Sequence, residues 1–186
     1  VLLLLFIIML SFRTVSAAYP FGDELIRYQF EDAATATSTN SGTGGSTYNG
    51  TFFGAASTTA VQKLFGSKSS VFNDTNDYMK TYYGNGIDPT TQSISVSLWV
   101  YKGSNTCNTG DDDHVFGVSG SPTANRFYIR CRTSTTNKWG YRIQGNAEVF
   151  STVTASTTGW DHIVLVANAA TDQASFYVNG SAVGSP

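Results

Sequence analysis

The stretch Gly159-Trp160-Asp161-His162-Ile163-Val164-Leu165-Val166, with Ser175-Phe176-Tyr177-Val178-Asn179-Gly180 after it, constrains the fold more than any other part of this chain. It reads as a tryptophan-led strand, a polar bend, and a shorter strand running into an Asn-Gly turn. In both segments apolar residues alternate with others, the period of a half-buried strand. Asn-Gly favours a tight hairpin because both central positions of the turn take positive φ.

The same period recurs along the chain. Residues 93–101 give the cleanest case: Ile94, Val96, Leu98 and Val100 fall on one face, and Ser95, Ser97, Trp99 and Tyr101 on the other. Residues 25–30 alternate and are expected to form the first strand. Residues 31–48 are rich in Ser, Thr and Gly, offer almost nothing apolar to bury, and are expected to be a surface loop. Further strands are predicted at 50–55, 66–72, 77–80, 115–118, 126–132, 138–144 and 148–153. No window carries a helical period with caps. The expected fold is all-β, an antiparallel sandwich or barrel of about ten or more short strands.

The first ten residues are unbroken hydrocarbon and aromatic, and Val15-Ser16-Ala17 places small residues where a signal peptidase reads. A hydrophobic run of about twelve residues is short for a bilayer span, so residues 1–17 are expected to be a signal peptide, lacking its own start. Residues 18–186 are then one exported domain with no membrane span. Removing 1–17 takes away Arg13 alone among the charges, leaving 10 Lys and Arg against 13 Asp and Glu, a net −3. So weak a balance gives no reason to expect nucleic acid as a partner. Charged residues make up 13% of the chain, about half the usual share, and hydroxyls and amides carry its solubility instead. In an exported protein Cys107 and Cys131 are most simply a disulfide, closing a loop of roughly 25 residues and contributing about 3 kcal/mol; free buried thiols are the alternative. Asn49, Asn73 and Asn179 head Asn-x-Ser/Thr triplets and are glycosylation acceptors where the cell has that machinery, although Asn49 and Asn179 each precede a glycine and have a turn-forming explanation.

Several segments, taken in order, resemble a family. They are Leu25-Ile26-Arg27-Tyr28-Gln29-Phe30-Glu31-Asp32, Asn40-Ser41-Gly42, Asn49-Gly50-Thr51, Phe65-Gly66-Ser67-Lys68-Ser69 and Asn76-Asp77-Tyr78-Met79, followed by residues 93–102, Trp160-Asp161-His162-Ile163-Val164-Leu165 and Phe176-Tyr177-Val178-Asn179-Gly180. The chain is similar to laminin-G-like, concanavalin A-like jelly rolls over nearly all of its exported part. The resemblance implies an extracellular recognition module that binds glycans or other proteins, often beside calcium; some relatives are glycoside hydrolases. Such jelly rolls normally continue past this hairpin with two more strands, so the domain is expected to lack its final strands here.

Hydrolysis is not expected. Retaining relatives need two carboxylates about 5–5.5 Å apart, carried at alternate positions of one strand. The only glutamates, Glu24, Glu31 and Glu148, stand in no such spacing. Asp161 and His162 are adjacent on a strand, so their side chains diverge, and no Gly-x-Ser-x-Gly elbow is present. His162 is expected to be partly covered by the opposite sheet, and His114 to lie solvated in a polar loop. Asp111, Asp112 and Asp113 form the one dense acidic run and are the candidate calcium ligands. Tyr82, Tyr83, Trp139 and Tyr141 are the candidate platforms for a sugar face, with Asn85, Asn137, Gln144 and Asn146 nearby for its oxygens; Trp99 and Trp160 are expected to be structural. The expected function is a secreted, non-catalytic module binding carbohydrate or an extracellular protein. A structural, self-associating surface protein that uses open sheet edges is the alternative, and a hydrolase the remaining one.

Overall fold

A computed structural model of the chain describes residues 24–33, 36–72, 76–82, 91–103, 107, 113–118, 127–132, 137–143 and 146–183. The expected signal peptide, Tyr83, Asn85, Asp111, Asp112, Gln144 and Asn73 lie outside the described residues.

The core lies between two four-stranded antiparallel sheets, the jelly-roll sandwich the alternation predicts. One contains β6 (Ile94–Tyr101), β11 (Trp160–Asn168), β12 (Gln173–Val178) and β13 (Ser181–Val183), in the order β13-β12-β11-β6. The other contains β7 (Asp113–Val118), β8 (Phe127–Arg132), β9 (Lys138–Ile143) and β10 (Val149–Thr154), in the order β10-β9-β8-β7. A smaller sheet joins β1 (Thr37–Ser38), β2 (Gly50–Phe53) and β5 (Tyr78–Lys80), and a ribbon joins β3 (Ser57–Thr59) to β4 (Ser69–Val71). Among the described residues no helix is long and apolar enough to cross a membrane.

Alternation decides which side chains enter the core. Phe127, Ile129 and Cys131 of β8 and Trp139 and Tyr141 of β9 point inward from one sheet; Ile163, Leu165, Phe176 and Val178 meet them from the other. Each large aliphatic or phenyl group buried here contributes roughly 1.5–3 kcal/mol over leaving it in water. Tyr141 packs tilted on Phe176 at 5.1 Å between centroids. Cys107 and Cys131 are disulfide-bonded, with Cα atoms 5.5 Å apart and both residues fully enclosed. The Asn-Gly turn joins β12 to β13 with φ 52° at Asn179 and 76° at Gly180, the paired positive angles its sequence predicts.

Two expectations fail in the N-terminal part. Residues 25–30 form no strand: their one ladder contact is a bridge from Tyr28 to Asn40, and Phe30 sits at φ 59°, which ends any extended run. Nor are residues 31–48 merely a surface loop. They hold β1 and a 3-10 turn (Gly45–Tyr48), and Ser38 and Asn40 are buried. The Asn40 amide is what makes this workable. Its Oδ1 accepts from the Arg27 and Gly42 N–H groups at 2.7 and 3.0 Å, and its Nδ2 donates to the Leu25 and Gly45 carbonyls at 3.1 and 3.0 Å. Asn40 is enclosed because its one side chain satisfies four backbone groups, the condition for burying an amide without loss.

Candidate functional site

The outward face of the β6–β11 pair carries aromatic rings where a solvated sheet would normally be polar. Trp99 and His162 are cross-strand partners, and their rings stack at 4.5 Å with an interplanar angle of 16°. One step along the same face, Tyr101 and Trp160 are partners too, tilted at 5.6 Å. Phe65 lays its edge on Trp99 at 5.7 Å. Trp99 remains 40% exposed and Phe65 57%, so the shelf is open to a ligand. Beside it, Ser97 Oγ lies 2.9 Å from His162 Nε2. Partial burial lowers the His162 pKa below its ordinary value, so the imidazole is neutral at neutral pH.

The segment just after Phe65 is held by Glu31. The Glu31 carboxylate accepts from the Ser67 N–H at 2.8 Å, the Lys68 N–H at 3.2 Å and the Ser67 hydroxyl. Those bonds, the Ser67 hydroxyl first, draw the Glu31 pKa below the usual carboxylate range. Lys68 Nζ adds a bond to the Asp32 carbonyl at 2.7 Å. Gly66, at φ 64°, lets the chain turn directly after Phe65, and a Cβ there would stand 2.0 Å from Glu31 Oε1.

Of the tryptophans, Trp139 lies inside the sandwich and Trp99 outside it, the reverse of the expected placement. Trp139 is fully enclosed and donates its indole N–H to Asp161, and Tyr141 is 8% exposed with burial raising its hydroxyl pKa. Neither ring reaches the surface, because the outer positions of β9 belong to Lys138, Gly140 and Arg142. Trp99, expected to be structural, is the exposed ring. A signal for it was present: Trp99 shares its face with Ser95 and Ser97, hydroxyl residues that mark the solvent side. His162 likewise turns away from the opposite sheet, while Asp161 faces it.

The remaining candidates are scattered. Tyr82 is 60% exposed, its ring edge-on to Tyr48 at 6.2 Å. Asn137 Oδ1 accepts the Cys107 N–H at 2.9 Å, a structural role; Asn146 is exposed in the turn before β10. Asp113 pairs with Lys102 at 2.7 Å. His114 stands on β7 rather than in a loop, edge-on to Tyr128 at 5.0 Å. Asn49 Oδ1 accepts the Asn40 N–H at 2.9 Å. The Asn179 amide serves the turn: its Nδ2 donates to Asp161 at 2.8 Å and its Oδ1 accepts the His162 N–H at 2.8 Å.

A family model described as the concanavalin A-like lectin/glucanases superfamily matches residues 73–186, more than half of the chain. No curated protein and no solved structure gives a significant match.

Proposed function

The chain belongs to the concanavalin A-like lectin/glucanases superfamily, and from that premise we propose that it is a secreted, non-catalytic recognition module that binds carbohydrate on the Trp99 shelf. One observation carries the reading: an open indole stacked on a neutral imidazole with a serine hydroxyl alongside. Flat rings match the apolar C–H faces of pyranoses, and hydroxyl and imidazole nitrogen groups exchange hydrogen bonds with sugar oxygens. Phe65 and the Tyr101–Trp160 pair extend the shelf beyond one sugar ring.

The non-catalytic part of the reading rests on the glutamates. Glu31 is held by Ser67 and Lys68, and Glu148 by Arg130 and Arg132; as acceptors of fixed N–H donors, both are suited to hold structure rather than to move protons.

A glycan array probed with the purified chain and with Trp99→Ala tests the proposal. Retention of neutral glycans by the parent, weakened at least tenfold in the variant, is the expected result; tenfold corresponds to ~1.4 kcal/mol. Silence of the parent across a broad array, or binding indifferent to Trp99→Ala, would sink it.

A further inference from the structure

The loop that joins β3 to β4 carries hydrocarbon where polar side chains are usual. All eight residues from 60 to 67 are exposed, and three large apolar side chains stand among them: Val61 is 83% exposed, Leu64 39% and Phe65 57%. Exposed apolar residues are ordinary when scattered singly; gathered on one turn, they mark contact with something apolar. Hydrogen bonds also give the turn a defined shape. The Thr59 hydroxyl accepts the Val61 N–H at 3.1 Å, the Gln62 carbonyl accepts from the Ser69 hydroxyl, and Glu31 accepts the Ser67 and Lys68 N–H groups. These local bonds leave fewer bare backbone groups to dehydrate when the tip leaves water.

We propose that this loop is an interfacial anchor, dipping Val61, Leu64 and Phe65 into the headgroup layer of a lipid bilayer. Charge favours that occupant. Residues 33–73 contain no Asp or Glu, and their only charged side chains are Lys63 and Lys68. Lys63 is exposed between the apolar residues and forms no ion pair among the described residues. Its stem can lie along hydrocarbon while the ammonium group meets lipid phosphates. Glu31, the carboxylate at the base of the loop, faces Lys68 and two N–H donors. Phe65 touches Trp99, and the Tyr101–Trp160 pair lies one step along the sheet; such rings settle at the membrane–water boundary. A second copy of the chain would need an apolar hollow to receive the tip. The hollow beside the loop is instead lined by Gln29, Glu31, Asp32, Thr39 and Ser41 around Phe30, which does not match it. The anchor goes beyond sugar binding and does not rest on it, since Val61 and Leu64 take no part in the Trp99 shelf.

Co-sedimentation with sugar-free vesicles of phosphatidylcholine carrying a minority of phosphatidylserine tests the assignment. The parent is expected to partition onto them, and Val61→Ser/Leu64→Ser to do so at least tenfold more weakly. The Ser pair should keep the circular dichroism and the glycan-array pattern of the parent, so that failure of the anchor and failure of the shelf are read separately. A polarity-sensitive dye on Val61→Cys reports insertion without relying on the Ser pair. Its emission should shift to the blue with vesicles, and the same dye on Thr171→Cys, in the exposed β11–β12 turn, should not shift. Equal partitioning of the folded Ser pair, no partitioning of the parent at low salt, or a Val61→Cys dye indifferent to vesicles would each overturn it. A parent that ignores vesicles but dimerises, and loses the dimer in the Ser pair, would assign the tip to a second copy instead.

Discussion

The Trp139 indole N–H donates to Asp161 Oδ2 at 2.7 Å, joining the two facing sheets through the core. The same oxygen accepts the Ser156 N–H at 2.7 Å, and Oδ1 accepts from Asn179 Nδ2 at 2.8 Å. One enclosed carboxylate thus ties β9, the bend before β11 and the β12–β13 turn to a single point. Asp161→Ala would leave the enclosed Trp139 N–H without an acceptor, costing about 1–3 kcal/mol, and would remove the charge-assisted bonds from the half-buried Ser156 N–H and the more exposed Asn179 amide. Urea unfolding should show a loss of at least ~3 kcal/mol; a loss under ~1 kcal/mol would mean that water replaces the carboxylate.

Trp139→Phe removes one donor and keeps most of the apolar volume. It should cost about 1–3 kcal/mol, and its effect should be non-additive with Asp161→Ala, because the two share one bond. A double-mutant cycle with no coupling energy would show that the indole contributes by packing alone.

Gly66→Ala should detach the Phe65 loop without touching the core. The residue needs positive φ, and the new methyl meets the Glu31 carboxylate, a local strain of about 1–3 kcal/mol. Faster proteolysis within residues 60–68, weaker glycan binding and an unchanged unfolding midpoint are the expected set. Unaltered proteolysis would show that Glu31 does not fix this loop.

His162 gives the shelf a pH dependence with a definite sign. Its folded pKa is below the ordinary value, so between the two the unfolded chain binds more protons and stability rises with pH. The contribution is complete above about 6.5 and is lost as pH falls through the folded value. In the parent, stability should decline over that acidic window more steeply than in His162→Gln. Equal slopes would remove the effect.

Replacing Cys107 and Cys131 together by alanine opens the cross-link, whose ends are 24 residues apart in sequence. The expected loss is about 3 kcal/mol, acting mainly through the unfolded chain. Thermal unfolding of the oxidised parent and the double variant measures it; coincident curves would assign the pair no role in stability.

Local periodicity determined the strands of the sandwich, because a two-residue repeat of apolar side chains is a property of neighbouring residues. The Ile94–Tyr101 alternation, the Trp160-led strand and the Asn179-Gly180 turn all stand where their residues place them. Tertiary structure decided which tryptophan meets solvent, since that depends on what lies across the sheet. Trp139 is enclosed because the inner face of β9 looks onto Asp161 and Phe176, whereas Trp99 stays 40% exposed on the outer face, where its ring meets His162 of the adjoining strand and Phe65. It also decided the fate of residues 31–48. Their composition lacks apolar groups, yet a single buried amide, Asn40, reaches carbonyls and N–H groups up to fifteen residues away, and no local pattern in a chain encodes contacts made at that distance.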